Sequence, residues 1–473
     1  MTFEEKLDNS PLTLEMWLLW ILAAGLIALD GFDFFVIGIA LPFLKQDFHL
    51  TSVETGAVAV AAIAGALLGS LTLGPITDKI GRQKMLIVDL AIFILASAGT
   101  ALAWNAESLI FFRFLVGVGI GADYPISVAY ITENVPSRLR GRMVIGAFTF
   151  QAIGSFLGAM TGIIVIALFE YLYPDSILPA VQYAWRWMLG VGLGLAILVA
   201  ILRFQFLLES PRYYIAKGDY KAASEAASQL LNEPVMITPE TEPEPQDTDL
   251  NYGALFSTKY WRNTVFASVP WFLQDIATYG IGVFTPSIIA FLAFSNETNF
   301  LNRELASATG SAVVDLFLIL GFILAVILVD RLGRISLQIM GFIGMAIGLS
   351  ILAVAGDPTQ TTNPNLLLIF SGFVIFNLLM NMGPNSTTFL ISGEVFPTAL
   401  RASGAGLAAA IAKSGAVLGT FTLPLLKQSI GVSTLMILLA VCCLLAAVIT
   451  YFFGIETKGV SLESVNEPHL SSR

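Results

Sequence analysis

Several ionisable and aromatic residues stand inside long apolar stretches of this 473-residue chain. Asp30 and Asp33 are three residues apart, so both carboxylates face the same side of a helix. Trp271, Asp275 and Tyr279 follow one another at intervals of four, which places an indole, a carboxylate and a phenol in one helical stripe. A polar ligand bound between helices needs such a combination of an apolar wall and a few polar groups.

Other charged residues also interrupt apolar stretches, and they are Asp89, Arg113, Asp123, Asp315 and Lys413. A charged side chain is costly inside a bilayer, so each is a candidate functional residue. Lys413 is the one lysine predicted deep inside a span, where carboxylates outnumber it. A buried carboxylate without a cationic partner takes up a proton. We therefore predict that Asp30 or Asp123 carries a proton, and the alternative is a structural ion pair between one of them and Arg113.

The composition favours a membrane protein over a soluble one. Hydrophobic residues make up 56% of the chain and charged residues 12%, whereas soluble proteins carry about 25% charged residues. The net charge of −10 argues against nucleic-acid binding, for which a basic surface is typical. The two cysteines, Cys442 and Cys443, are adjacent, and His49 and His469 are the only histidines. We therefore expect no disulfide, no metal site and no cofactor.

A helix that crosses a bilayer needs about 20 mostly apolar residues, and about twelve stretches of the chain meet that condition. They span 16–43, 53–74, 85–104, 107–134, 143–169, 186–208, 262–291, 306–330, 335–354, 366–393, 402–426 and 431–454. The predicted fold is an all-α membrane protein of two six-helix bundles, 1–208 and 259–473. A polar linker with a short helix, 209–258, joins them and becomes acidic and proline-rich toward its end.

The basic residues predict the orientation of the chain. Most of the 24 lysines and arginines fall on the terminal tails and on the loops that follow even-numbered segments. Basic loops stay on the cytoplasmic side of a membrane. We therefore predict that both termini and the linker are cytoplasmic, and that the protein lies in a cell membrane, inner or plasma.

Two charged motifs occur once in each half, in the same order. DKIGR (78–82) follows segment 2, and DRLGR (330–334) follows segment 8. The pattern E-x-x-P-x-x-x-R ends segment 4 at 133–140 and segment 10 at 394–401. The two halves are therefore predicted to be repeats, and parallel repeats of this kind hold a solute between them near the bilayer midplane.

These motifs resemble those of the major facilitator superfamily over essentially the whole chain. GPITDKIGRQK (74–84) resembles the superfamily signature between helices 2 and 3, and ESPR (209–212) and ETKG (456–459) resemble sugar-porter signatures. The closer resemblance is to the phosphate:proton symporter family. It rests on GADYPIS (121–127), WFLQDIATYG (271–280) and GPNSTTF (383–389).

The resemblance implies roles for individual residues. It implies that the solute is held by Tyr124, Gln151, Trp271, Asp275, Tyr279, Asn385 and Lys413. It implies that protons are handled by Asp30, Asp89 and Asp123, although that family usually has glutamate where this chain has Asp89. Asp33 and Arg113 join this predicted proton-coupling set because they lie inside spans. Asp315 matches no role in the family and is interpreted as a helix-packing residue.

The charged motif residues at the cytoplasmic helix ends are predicted to form a gate, and they are Asp78, Arg82, Glu133, Arg140, Glu394 and Arg401. Salt bridges among them would hold the halves together while the solute site faces outward, and would break when it opens inward. The alternative is that they only fix the topology. In segment 4, Gly117, Gly119 and Gly121 are predicted to permit close helix contact.

These observations predict a secondary transporter, not an enzyme, which imports a small polar solute together with protons by alternating access. The chain has no Gly-x-x-x-x-Gly-Lys-Ser/Thr loop for ATP, so ion and solute gradients must supply the energy. Inorganic phosphate is the leading solute through the resemblance, and a sugar, polyol or organic acid is the alternative. A solute sensor is a remote alternative. We expect the protein to function as a monomer in the lipid bilayer.

Overall fold

Backbone groups surrounded by lipid must form hydrogen bonds within their own segment, which favours helices. The computed structural model describes residues 2–206, 208–240, 252–293, 297–355, 365–397 and 400–459, and within these ranges every regular element is helical. The first nine helices are α1 (Phe3–Asn9), α2 (Leu14–Asp47), α3 (Ser52–Ile80), α4 (Arg82–Ala101), α5 (Ala106–Asn134), α6 (Ser137–Leu172), α7 (Leu178–Phe206), α8 (Pro211–Ala216) and α9 (Tyr220–Leu231). After a 3-10 helix at Tyr252–Phe256 follow α10 (Trp261–Gly282), α11 (Thr285–Ala293), α12 (Phe300–Leu332), α13 (Arg334–Val354), α14 (Leu366–Met382), α15 (Pro384–Glu394), α16 (Arg401–Ile430) and α17 (Val432–Phe453).

Among the described residues, 11 helical stretches are long and apolar enough to cross a membrane. They are α2 to α7, α12, α13, α14 continued by α15, α16 and α17. The prediction of about twelve spans differs by segment 7, which consists of α10 and α11. Its 22-residue first helix is long enough but contains Gln274, Asp275 and Thr278, all buried inside the protein. This helix is more polar than the others because its polar residues face the interior and not the lipid.

Local sequence signals explain where several helices begin and end. Thr51 and Glu54 form a capping box at the start of α3, in which each side chain bonds the other residue's backbone N–H. Gly81 ends α3 at φ 109°, and Gly333 ends α12 at φ 85°, in a region of backbone space that favours glycine. These equivalent breaks lie in the two copies of the repeated charged motif.

The close contact between α3 and α5 in the first half depends on glycine. A Cβ atom on Gly117 of α5 would lie 1.9 Å from the carbonyl oxygen of Ala62 in α3, and one on Gly121 would lie 2.0 Å from that of Ala66. Gly119 faces α4, where its Cβ would lie 3.1 Å from the Asp89 carbonyl oxygen. The predicted packing role of these glycines therefore has a direct geometric basis, since any side chain at 117 or 121 would force the helices apart.

The two halves meet along two long helix pairs. α3 packs against α16, and α6 packs against α12. In the repeat, α3 (segment 2) corresponds to α12 (segment 8), and α6 (segment 5) corresponds to α16 (segment 11). The two contacts are therefore equivalent, and the space between them lies on the axis that relates the repeats.

The short helices α1 and α9 cover one end of the bundle, which is the end predicted to be cytoplasmic. Asp8 of α1 accepts hydrogen bonds from the backbone N–H and the hydroxyl of Ser137 at the start of α6, at 2.7 and 2.8 Å. The Thr13 hydroxyl donates to the Leu230 carbonyl at the end of α9, at 2.7 Å. The N-terminal segment and the linker are thus fastened to the bundle at the same end.

The α3–α5 contact makes a direct prediction. Gly117→Ala should destabilise the protein by about 1–3 kcal/mol, because the added methyl group overpacks a backbone contact. We expect a clear fall in the apparent Tm of the purified protein, followed by tryptophan fluorescence. Gly190→Ala is the control, since a Cβ there meets no atom within 4 Å. An equal fall in both variants would contradict the packing role of Gly117.

Candidate functional site

The centre of the protein holds a buried lysine. Lys413, on α16, is 1% exposed. Its Nζ donates hydrogen bonds to Asp275 Oδ2 at 3.0 Å and to the Tyr279 hydroxyl at 2.8 Å, both on α10. The same Nζ lies 5.2 Å from the ring centre of Tyr124 on α5, within range of a cation–π contact. Four of the predicted solute residues thus form one cluster that spans both halves.

Aromatic rings close the cluster on one side. Phe148 of α6 and Phe389 of α15 stack with ring centres 3.8 Å apart and planes inclined by 13°. Trp271 meets Phe389 edge-on at 4.8 Å, and Tyr124 lies 5.5 Å from it. The predicted Trp271 therefore belongs to the wall of the site. The stacked phenylalanines were not predicted, because a phenylalanine in a span carries no sequence signal that separates a site from ordinary packing.

Side-chain amides form another part of the site. Gln151 donates to the Tyr124 hydroxyl at 3.2 Å. Asn385 accepts from Gln274 at 3.0 Å and donates to Asn381 at 2.8 Å. The predicted Gln151 and Asn385 therefore both reach the site, and they bring Gln274 and Asn381 with them. In the sequence, Gln274 and Asn381 are uncharged amides inside apolar spans, and the prediction did not include them.

A small cavity lies among these groups, between the two halves. Its volume is about 20 Å³. Its polar lining comes from Gln151, Ser155, Thr278, Tyr279, Asn381 and Asn385. A space of this size holds about one water molecule. The protein is therefore in a closed state, in which the side chains of the site pack against one another.

A second buried cluster lies within the first half. Arg203 of α7 stands between Asp89 of α4 and Asp123 of α5, with N–O distances of 3.7 and 3.6 Å. It also donates to the carbonyl oxygens of Leu22 and Leu86. Asp30 interacts electrostatically with both carboxylates and with Arg203. Within the described residues, neither of its carboxyl oxygens has a hydrogen-bond partner.

The predicted alternative pairing of Arg113 with Asp30 or Asp123 is wrong. Arg113 of α5 binds Asp33, with Nη1 2.6 Å from Oδ2. Arg203 takes the position beside Asp123 instead, because α7 packs against both α2 and α4. Arg203 was visible as an arginine inside segment 6, but sequence spacing alone does not show which helices face one another.

The repeated charged motifs meet at the predicted cytoplasmic end. Within each half, an arginine at a helix start binds a glutamate: Arg82 and Glu133 are 2.9 Å apart, and Arg334 and Glu394 are 3.0 Å apart. Contacts also cross between the halves. Arg401 lies 3.6 Å from Glu133, and Arg142 lies 2.8 Å from Asp330.

The remaining predicted gate residues are Arg140 and Asp78. Arg140 is buried, with 1% of its surface exposed, at the start of α6. Asp78 belongs to α3, but its side chain lies outside the part of the chain that the structure describes.

Two glutamates of the sugar-porter signatures complete this end. Glu209 accepts the backbone N–H groups of Arg82 and Gln83 at 3.0 and 3.1 Å, at the start of α4. Glu456 does the same for Arg334 and Ile335 at 3.1 and 3.2 Å, at the start of α13. Unpaired N–H groups at a helix start favour such a carboxylate. Burial raises the pKa of Glu209, while the N–H of Ser210 and the nearby Arg82 oppose that rise.

The opposite end of the bundle is also closed. Phe43 of α2 and Phe300 of α12 make an edge-on contact across the halves at 5.2 Å. A Cβ on Gly38 of α2 would lie 2.6 Å from the carbonyl oxygen of Val283, at the break between α10 and α11. The helical bundle therefore encloses a polar site between its two halves and closes it at both ends.

Comparison with known proteins identifies the family. The chain belongs to the family described as "Sugar (and other) transporter", whose model matches residues 19–468. The putative metabolite transport protein YaaU of Escherichia coli K12 is 31% identical over 447 residues, which cover 94% of this chain and 93% of that protein. The probable inorganic phosphate transporter 1-6 of Arabidopsis thaliana is 29% identical and covers 92% of this chain and 90% of its own.

A solved structure shares the fold. The proton:xylose symporter XylE, bound to 6-bromo-6-deoxy-D-glucose, matches 95% of this chain and 98% of its own with a TM-score of 0.77 and 19% sequence identity. These similar proteins are transporters and not enzymes. The predicted superfamily, fold class and non-enzymatic character are confirmed, whereas the roles of the individual site residues stay predictions.

The contacts at the predicted cytoplasmic end can be tested without a solute. Glu133→Gln removes a buried charge that faces two arginines, which should destabilise the closed state by about 3–5 kcal/mol. The thiol of Gln151→Cys, in a background of Cys442→Ala and Cys443→Ala, should then be labelled by an aqueous maleimide about a hundredfold faster or more.

Arg142→Gln is the matched control. Its ion pair with Asp330 also crosses the halves, but the arginine side chain is 47% exposed. An exposed pair contributes about 0–1 kcal/mol, so the labelling rate should change about fivefold at most. Equal rates in Glu133→Gln and the parent protein would show that Glu133 does not hold this end closed.

Proposed function

We propose that this protein is a proton-coupled symporter that imports a small polar solute, inorganic phosphate in the first place, by alternating access. The observation that carries the proposal is the buried Lys413, held by Asp275 and Tyr279 at the contact of the two halves. A buried cation is costly and is retained where function needs it. An anion can take over part of the hydrogen bonding that Asp275 now provides.

The chemistry of these side chains supports phosphate as the proposed solute, because phosphate both accepts and donates hydrogen bonds. Its unprotonated oxygens can accept from Lys413 Nζ and from the hydroxyls of Tyr124 and Tyr279. Its P–OH groups can donate to Asp275, so the carboxylate attracts an acidic phosphate through a hydrogen bond although both are anionic. The amides of Gln151 and Asn385 supply further donors. The indole of Trp271 forms part of the apolar wall.

The proton site that we propose is the cluster in the first half. Asp30, Asp89 and Asp123 share one arginine, Arg203, in surroundings that exclude water. Carboxylates in excess of their counter-ions under these conditions bind protons. Asp30 is the first candidate because its oxygens lack hydrogen-bond partners within the described residues. Asp33 and Arg113 form a matched pair beside it and keep that part of α2 neutral.

Alternating access follows from the two closures. To open toward the predicted cytoplasmic end, the halves must separate Phe148 from Phe389 and Glu133 from Arg401. To open toward the other end, α2 must leave α11 and the α10–α11 break. The site lies between these closures, so rocking of the halves about the α3–α16 and α6–α12 contacts would expose it to one side at a time.

The proposal extends to the organisation of the chain. We propose two six-helix domains, 1–208 and 259–473, joined by a cytoplasmic linker, with both termini in the cytoplasm of the cell. The basic residues of the loops support this orientation. We propose a monomer as the functional unit, because the solute site and both closures are formed within one chain.

A sugar, polyol or organic acid is the alternative solute. The observation that favours it is the group of neutral amides around the cavity, formed by Gln151, Gln274, Asn381 and Asn385. Amides both donate to and accept from hydroxyl groups, as recognition of a polyol requires. The similarity to phosphate transporters at 29% identity supports phosphate, and the similarity to a metabolite transport protein at 31% supports the alternative.

The test of the solute is uptake into proteoliposomes under an imposed proton gradient, with phosphate, sugars and carboxylates compared in parallel. Lys413→Ala should reduce phosphate uptake about thirtyfold or more, because loss of a buried charge partner costs roughly 2–5 kcal/mol. Lys217→Ala, on the surface, should leave uptake unchanged. Uptake of a sugar without uptake of phosphate would contradict phosphate as the solute.

The proton site is tested separately. Asp30→Asn removes the proposed proton carrier and preserves the size of the side chain, so solute accumulation driven by a pH gradient should fall about tenfold for each pH unit of gradient, while solute exchange across the membrane continues. Both rates are measured with the same labelled solute. Asp175→Asn, at an exposed position, is the control. If Asp30→Asn accumulates solute to the same level as the parent protein, Asp30 does not carry a coupled proton.

A further inference from the structure

A carboxyl group outside both clusters lies where the two halves meet. Asp315 is in the middle of α12 and is 8% exposed. Its Oδ2 accepts a hydrogen bond from the Ser155 hydroxyl of α6 at 3.0 Å. Because α6 and α12 belong to different halves, this bond joins the halves. Ser155 also lines the central cavity.

The surroundings of Asp315 offer it no counter-ion. The helices packed against α12 are α2, α6, α11, α13 and α14. α11 and α14 carry no charged residue, and the one on α13, Arg334, binds Glu394 at the helix start. The charged groups of α6, which are Arg138, Arg140, Arg142 and Glu170, lie near its ends.

On α2, two carboxylates lie at a comparable depth. Asp33 is bound by Arg113, and Asp30 belongs to the cluster of Asp89, Asp123 and Arg203. The remaining charged residues of α2, Glu15, Lys45 and Asp47, lie near its ends. Among the described residues, Ser155 is the one hydrogen-bonding or electrostatic partner of Asp315.

A single hydroxyl group does not compensate an ionised carboxylate away from water. An isolated buried charge costs far more than one hydrogen bond returns, so the group binds a proton instead. A neutral carboxyl group and a serine hydroxyl form an ordinary hydrogen bond at the observed distance. The closed state therefore favours the neutral form of Asp315.

We propose that Asp315 is a second proton-binding site of this transporter, loaded when the halves close over the solute cavity and released when they part and water reaches the carboxyl group. This inference rests on the proposed proton-coupled transport and adds a site that lies beside the solute. The residues that line the cavity are uncharged, and one of them, Tyr279, accepts a hydrogen bond from Lys413, whose charge is paired with that of Asp275. An anionic solute then enters a site that carries no net negative charge.

The protonation of Asp315 can be measured without any solute. Infrared spectra of the protein in lipid bilayers show the C=O stretch of a neutral carboxyl group apart from the bands of a carboxylate. The spectrum of the wild type minus that of Asp315→Asn should contain the band of one neutral carboxyl group at neutral pH. In Ser155→Ala this band should shift but persist, because only its hydrogen bond is lost. Carboxylate bands in the difference spectrum would overturn the proposal.

Transport supplies a second readout, with phosphate as the probe. Asp315→Asn should keep phosphate exchange, since the asparagine stays neutral, but accumulation should fall about tenfold for each pH unit of gradient as one proton ceases to move. Unchanged accumulation would overturn the coupling role. The solvent-exposed Asp175→Asn is the control in both assays. If the infrared band is present but the wild type does not transport phosphate, the proposed solute is wrong and the proton-binding site stands.

Discussion

The interior of this bundle must neutralise its own charges, because neither lipid nor a closed protein core can solvate them. The arrangement of the central helices follows from this constraint. Lys413 is tolerated because α10 brings Asp275 within 3.0 Å, and Arg113 because α2 brings Asp33 within 2.6 Å. Arg203 is shared between two carboxylates and two backbone carbonyl groups. Each charged pair joins two helices, so the ion pairs also determine which helices are neighbours and at what depth they meet.

The sequence was sufficient for the fold class and for most members of the central site, and it failed where partners had to be assigned. Hydropathy located the spans because lipid imposes a length and an apolar surface on each. It also located segment 7, although α10 is more polar than the other central helices because its polar residues face inward. The stripe of Trp271, Asp275 and Tyr279 was predictable because helical periodicity fixes which residues share a face. Arg203, Gln274 and the Phe148–Phe389 stack were not, since their roles depend on which helices face each other across the bundle.

The repeat is visible most clearly at the predicted cytoplasmic end. There, Arg82, Glu133 and Glu209 are arranged as Arg334, Glu394 and Glu456 are in the other half. The middle of the bundle has lost this equivalence. The first half contains several carboxylates around one arginine, whereas the second contains one lysine paired with one carboxylate and the separate Asp315. The predicted cytoplasmic ends of the two repeats thus keep the same arrangement of charged residues, whereas the centres of the repeats differ.

This divergence has an evolutionary consequence. Under the proposed function, protons bind mainly in the first repeat, whereas the charged pair that selects the solute lies in the second. Substitutions around Lys413 and Asp275 can then alter the cargo and leave Asp30, Asp89, Asp123 and Arg203 untouched. After a gene duplication, each repeat can be selected for a different task. A single site that binds both the proton and the solute does not allow this separation. A lineage of such proteins can therefore change its solute while keeping the same proton-binding cluster.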